Sequence, residues 1–251
     1  MKVLFAGEGI YWGKTIIKGW DQFILGNYSE EAHYFTDSLK EQKIDFDYIP
    51  TNRVQQEFPW TEQDMAKYDA IIMSDVGSNS LTLTNECYTG ERSPNRMIEL
   101  EKYVRNGGGF VMFGGYLSYT GLWGRGFYKR TPVEKLLPVT LMDTDDRIEC
   151  PEGVTPKTLV GDHPILKGIP QEWPCWFVSL NRLEAKEGAT VLSVVEEYDN
   201  APFLTVHEYG KGRSVASCAD CAPHGATPSF FNWEYRSQYF GNLVRWAAGE
   251  I

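Results

Sequence analysis

The chain has 251 residues, 42% of them hydrophobic and 14% aromatic, enough to bury one large core of the size common in α/β units. Its 24 basic and 34 acidic residues leave a formal net charge of −10, a surface that repels phosphate backbones and anionic lipid and so argues against nucleic acid and membranes as partners. The apolar run at residues 3–6 is too short for a signal peptide or a membrane span, and five cysteines, an odd number in a chain this large, read as reduced thiols of a cytoplasmic protein.

Residues 3–6 predict a buried strand ending in Gly7-Glu8-Gly9. Ser29 is placed to N-cap a helix over 29–42, with Glu30 and Glu31 in its first turn. Residues 44–49 alternate Ile44, Phe46 and Tyr48 with Asp45 and Asp47, the pattern of a second strand. Thr61 begins a short helix, and 70–74 form a third strand. Ser93-Pro94 opens the next helix with Pro94 at its first position, and Asn106-Gly107-Gly108-Gly109 closes it ahead of a fourth strand at 110–113. Beyond Pro138 the rhythm changes to strands at 190–195, 202–207 and 213–219, with a tight turn at Tyr209-Gly210-Lys211-Gly212. An amphipathic helix over 235–248 buries Phe240, Leu243, Val244 and Ala247. These elements predict one α/β domain over residues 1–251: a doubly wound, mostly parallel sheet with antiparallel strands added in its C-terminal part.

Such sheets bind ligands at the carboxyl ends of their parallel strands. That rule singles out Glu8, Asp75, the Gly114-Gly115-Tyr116 turn and Asp220. Glu8 and Asp75 can serve as an acid/base pair or bind an ion, although strand-end carboxylates more commonly cap the following helix. His224, between Pro223 and Gly225, reads equally well as a general base or as a structurally bonded loop histidine, whereas His33, His163 and His207 read as structural. Gly13-Lys14-Thr15 invites a phosphate-loop reading, but that loop needs a glycine where Glu8 stands, and a carboxylate there repels phosphate. Cys218, Cys221 and His224 fall short of a zinc site for want of a fourth ligand, so no metal and no cofactor is expected. The aromatic, glycine-rich stretch 116–129, with Tyr119, Trp123, Phe127 and Tyr128, suits either a lid over a small polar ligand or an oligomer interface.

The strand at 110–113 after its glycine turn, the Gly210-Lys211-Gly212-Arg213 hairpin, the strand-end His224 and the closing Asn242-Leu243-Val244-Arg245-Trp246 helix resemble the class I glutamine amidotransferase-like superfamily, a flavodoxin-like fold. The run Asp162-His163-Pro164-Ile165-Leu166-Lys167-Gly168-Ile169-Pro170 is similar to bacterial members of unknown activity related to trehalose-utilisation-type proteins. The resemblance implies a nucleophilic cysteine on a sharp turn after the fourth strand and an activating histidine after a later one. His224 matches the histidine, but the nucleophile position falls on Gly114 or Gly115, and Gly225-Ala226 replace the family's Pro-Glu after the histidine. Glutamine hydrolysis is therefore disfavoured, unless Cys87, in the loop after the third strand, substitutes for the missing thiol. The leading expectation is a small polar metabolite, by analogy a carbohydrate, held by Glu8, Asp75, Gly114, Gly115, Tyr116, Trp123 and Asp220, with His224 as acid/base in any reaction. The alternative is a non-catalytic homo-oligomeric binding or scaffold protein.

Overall fold

The computed structural model describes residues 1–223 and 225–251. Strand β1, Lys2–Gly7, is a wholly apolar run at Val3, Leu4, Phe5 and Ala6, all fully buried, as a central parallel strand must be. It is followed not by a helix but by a hairpin, β2 Gly9–Lys18 and β3 Asp21–Glu30, whose ten-pair ladder runs from Gly9 opposite Glu30 to Lys18 opposite Asp21. Gly19, at φ +60°, supplies the left-handed residue that its two-residue turn requires. The helix expected from Ser29 instead begins at His33, with Ala32 as N-cap, and runs to Glu41. Ser29 lies in β3, where its hydroxyl accepts a hydrogen bond from the Trp12 indole N–H at 3.1 Å.

Strands β4 Asp45–Ile49 and β5 Ala70–Ser74 flank β1 in parallel register, Val3 opposite both Phe46 and Ala70. Thr61 caps a short helix with a full capping box, as its sequence implies. The longer helix before the fourth strand is Arg96–Arg105, and its cap is Asn95, whose side chain accepts from the N–H groups of Met97 and Ile98. Pro94 therefore lies before the helix rather than at its first position, because the asparagine carboxamide satisfies those end donors better than the serine placed further back.

Strand β6, Gly109–Met112, follows, and beyond it lies a segment with little sequence signal. It contains β7 Val139–Thr140, β8 Arg147–Val154, β9 Lys157–Thr158, β10 Phe177–Asn181 and β11 Glu184–Ala185, with β8 paired to β10 and β7 to β11. The chain returns through β12 Thr190–Val195, β13 Ala201–Tyr209 and β14 Gly212–Ser217.

Among the described residues the main sheet has eight strands in the order β4-β1-β5-β6-β14-β13-β12-β9. The first five are parallel, with the flavodoxin-like order 2-1-3-4-5, and β13, β12 and β9 extend the sheet by antiparallel pairing. The closing helix Arg236–Ala247 packs against His33–Glu41, with Phe240 edge-on to Phe35 at 5.0 Å between ring centroids. In this topology the crevice opens where β1 meets β5, at the carboxyl ends that carry Glu8 and Asp75.

Candidate functional site

The floor is assembled by close backbone approach. A Cβ on Gly7, at φ +147°, would lie 2.0 Å from the Ser74 carbonyl oxygen, so only glycine lets the ends of β1 and β5 come this near. The two residues that follow these strands, Glu8 and Asp75, both adopt left-handed backbone conformations, at φ +55° and +51°. Neither is glycine, and such conformations cost on the order of 1 kcal/mol each and collect at functional sites. Among the described residues neither carboxylate is the cap of a helix, contrary to the commoner role of strand-end acids. A hairpin follows Glu8, and Asp75 Oδ1 accepts instead from the Leu117 N–H at 2.6 Å.

Glu8 is only 3% exposed, and its carboxylate meets Asp220 and Cys221, also buried, with one ligating atom from each lying within 4.8 Å of the others. Asp220 Oδ1 accepts from the Ser74 hydroxyl at 3.2 Å and from the Ala222 N–H at 3.0 Å. Glu8 Oε1 has no hydrogen-bond partner among the described residues. Burial raises the Glu8 carboxyl well above its ordinary range, and the nearby Asp220 and Asp75 charges push it further. Burial, then the charge of Asp75, raises Asp220 in the same direction. The Cys221 thiol is likewise pushed up, by burial and then by the two carboxylates. Burial and mutual repulsion thus favour the protonated forms of all three groups.

The turn after β6 has no room for a nucleophile. A Cβ on Gly114 would lie 2.2 Å from the Cys218 carbonyl oxygen, and one on Gly115, at φ +134°, would lie 2.6 Å from Asp75 Oδ1. The side chain of Asn181 closes the turn from the other side, accepting from the Gly115 N–H at 2.9 Å and donating to the Gly115 carbonyl and to Asp146.

Above this floor is a cleft of about 440 Å³ lined largely by apolar groups: Tyr11 and Trp12 from the base of the hairpin, then Tyr116, Leu117, Leu122 and Trp123. Glu8 and Asp75 both open onto it. Tyr116 donates from its hydroxyl to Glu149 at 2.9 Å, and Trp123, 66% exposed, stands at the rim with the Arg125 guanidinium 5.1 Å from its ring centroid. Two of the four aromatics read as lid or interface are neither. Tyr119 and Tyr128 are fully buried, bonded through their hydroxyls to the carbonyls of Met112 and Ser217 and of Val76. Asp146 grips the same stretch through the N–H groups of Thr120 and Gly121, so this wall is pinned to the core.

The structure thus brings together Glu8, Asp75, Gly114, Gly115, Tyr116 and Asp220, with Trp123 at the edge. His224 lies outside the described residues. Cys87, exposed in the short helix Asn85–Thr89, lines a separate depression with Trp60, Arg92 and Asn95 that shares no residue with the cleft. Sequence reasoning missed Asn181, Asp146, Tyr11 and Trp12, and it considered Cys221 only beside Cys218. Cys218 lies buried in the core, as a small apolar thiol at the end of a buried strand is expected to.

A family model described as "Putative glutamine amidotransferase" matches residues 2–249. The chain belongs to this family. Two solved structures of Salmonella typhimurium proteins support the assignment over nearly the full length of both chains. The cytoplasmic protein STM3548 is 34% identical with a TM-score of 0.93, covering 98% of this chain and 99% of its own. The cytoplasmic protein STM1381 of strain LT2 is 37% identical, with the same TM-score and coverage. A ThuA-like protein of Bacteroides uniformis shares the fold at 15% identity and a TM-score of 0.60, over 98% of this chain and 90% of that one. Among curated proteins, β-galactosidase BgaA of Planococcus sp. (strain 'SOS Orange') is 27% identical over 200 residues, 77% of this chain. The chain spans about a quarter of that enzyme's length, 25%. No helix among the described residues is long and apolar enough to cross a membrane.

Proposed function

We propose that this amidotransferase-family site no longer hydrolyses glutamine and instead binds a small polyhydroxylated metabolite of the carbohydrate class. The observation that carries the reading is the pairing of two strand-end carboxylates, Glu8 and Asp75, with the aromatic walls of one cleft. Sugars present hydroxyl donors and apolar C–H faces together, and carboxylates with aromatic rings recognise that combination. The crowded glycines at 114 and 115 support the loss of glutaminase chemistry, since a thioester needs a thiolate at the turn. Cys87 sits in a different depression, which speaks against its use as a replacement. The β-galactosidase relative supports the sugar class by analogy only. His224 is the acid/base candidate on its sequence position, and free thiols together with the names of the Salmonella relatives support a cytoplasmic location. The test is titration of neutral mono- and disaccharides followed by tryptophan fluorescence and calorimetry. Saturable binding that weakens at least tenfold in Asp75→Asn supports the proposal. Ammonia release from glutamine, or a full panel without binding, overturns it.

A second reading, self-association, is favoured by the hairpin β2–β3. Trp12, Ile17, Trp20, Phe23, Ile24 and Leu25 are all exposed. The ladder places Ile17 and Ile24 on one face and Trp12, Phe23 and Leu25 on the other, so both faces are apolar. Among the described residues each strand pairs only with its neighbour, leaving two open backbone edges, and a lone two-stranded hairpin is marginal in water. A second copy of the same arm completes both needs at once, because two-fold contacts match a surface to itself. Light scattering should show an oligomer that becomes a monomer when 13–26 are replaced by an Asn-Gly turn. A wild-type monomer at tens of micromolar, on the order of ordinary oligomer affinities, removes this reading.

A further inference from the structure

We propose that Glu8, Asp220 and Cys221 form a binding site for a divalent transition-metal ion of the zinc class at the floor of the cleft. The inference builds on the cleft reading above and adds a resident ion to it. Three observations converge. The donors are two carboxylates and a thiol, hard and soft ligands that zinc and its neighbours accept together. One atom from each lies within 4.8 Å of the other two. Metal–oxygen and metal–sulfur bonds of about 2.0 and 2.3 Å would draw them together by about 1 Å. The third observation is Glu8 Oε1, which is buried with no hydrogen-bond partner among the described residues, although buried carboxylate oxygens are normally satisfied.

The surroundings fit a held ion. The Ser74 hydroxyl and the Ala222 N–H both donate to Asp220 Oδ1, fixing the carboxylate's orientation as outer-shell partners fix metal ligands. Binding would displace into solvent any protons that the carboxyl groups and the thiol carry, with no change of oxidation state. Glu8 opens onto the cleft, so a further coordination position can face a ligand hydroxyl. His224, three residues beyond Cys221, lies outside the described residues and is not counted in the set.

The test uses the full chain, stripped with chelator and titrated with Zn²⁺ alone and with Co²⁺ alone. The expected result is one equivalent per chain and, with Co²⁺, a near-ultraviolet thiolate charge-transfer band. Cys221→Ser should abolish that band and weaken Zn²⁺ binding at least tenfold. Glu8→Gln should also weaken binding at least tenfold while leaving the metal-free protein folded, as judged by its thermal transition. No saturable Zn²⁺ binding, or binding unchanged in both variants, overturns the proposal. Sugar binding with no saturable Zn²⁺ binding keeps the cleft reading and overturns the metal. Metal binding without any sugar binding does the reverse.

Discussion

The hairpin arm begins directly after Glu8 of the strand-end floor, and each of the two regions inverts ordinary residue placement in its own way. The arm carries Trp20, Ile17 and Ile24 into solvent on a ladder that touches its own chain chiefly at its base. The floor buries Glu8, Asp220 and Cys221 where an apolar cluster would be cheaper by several kcal/mol. Exposed apolar surface is satisfied by a partner, and buried charge by a proton, a counter-charge or a ligand. The two regions therefore differ in what completes them, one a macromolecular surface and the other something small. They also differ in tolerance. The floor is tight enough that glycines cannot grow a methyl group, whereas a Cβ on Gly13 in the arm would meet nothing within 4 Å.

That contrast gives the largest expected effect. Gly114→Ala forces a Cβ against the Cys218 carbonyl and should cost about 3 kcal/mol in urea unfolding. Gly13→Ala, the same chemical change in the arm, should stay within about 0.5 kcal/mol. Equal costs at the two positions would erase the distinction between a packed floor and a free arm. Gly114→Cys should likewise destabilise the protein without restoring glutamine hydrolysis.

A middle-sized effect is expected at the buried acids, and its sign is diagnostic. Glu8 and Asp220 are raised above the usual carboxylate range, so the native metal-free protein holds protons that the unfolded chain has released. Stability then falls as pH rises from about 4, where unfolded carboxylates ionise, toward the raised native values. Glu8→Gln removes one of the like charges and should stabilise the chelated protein by about 1–2 kcal/mol at pH 8 while flattening that fall. Chemical unfolding across pH 4 to 8, roughly that window, measures both. A variant less stable than wild type at every pH would show that Glu8 acts through packing rather than charge.

Much of the floor was legible in the sequence, because strand ends can be counted. The runs at 70–74 and 190–195 match β5 and β12, and the strand-end rule reached Glu8 and Asp75 directly. Asn181 was not legible, since its contact with Gly115 spans 66 residues and depends on the path of the poorly patterned 139–185 segment. Cys221 was visible only as one of two spaced thiols, and its alignment with Glu8 is a fact of three-dimensional packing. The arm was missed for a different reason. A strand that buries one face alternates apolar with polar residues, but this hairpin is apolar on both faces, so the period-two signal cancels. Ser29 then looked like a cap because the strand containing it left no pattern of its own.

The smallest effect on the isolated chain comes from the arm, and there the size of the effect depends on concentration. Ile24→Thr keeps a β-branched side chain in the ladder and alters only exposed surface, so in dilute solution it should change stability by no more than about 0.5 kcal/mol. If a second copy covers that face, the same substitution removes buried methyl surface from each of two symmetric arms, and the losses add. The thermal midpoint of wild-type protein should then rise with protein concentration, as linkage to assembly requires, and that dependence should weaken in Ile24→Thr. The floor predicts the opposite behaviour. Its energetics are internal to one chain, so the stabilisation by Glu8→Gln should be independent of protein concentration. A concentration-independent midpoint in both proteins would leave the arm as unpartnered surface and confine the unusual chemistry of this chain to its floor.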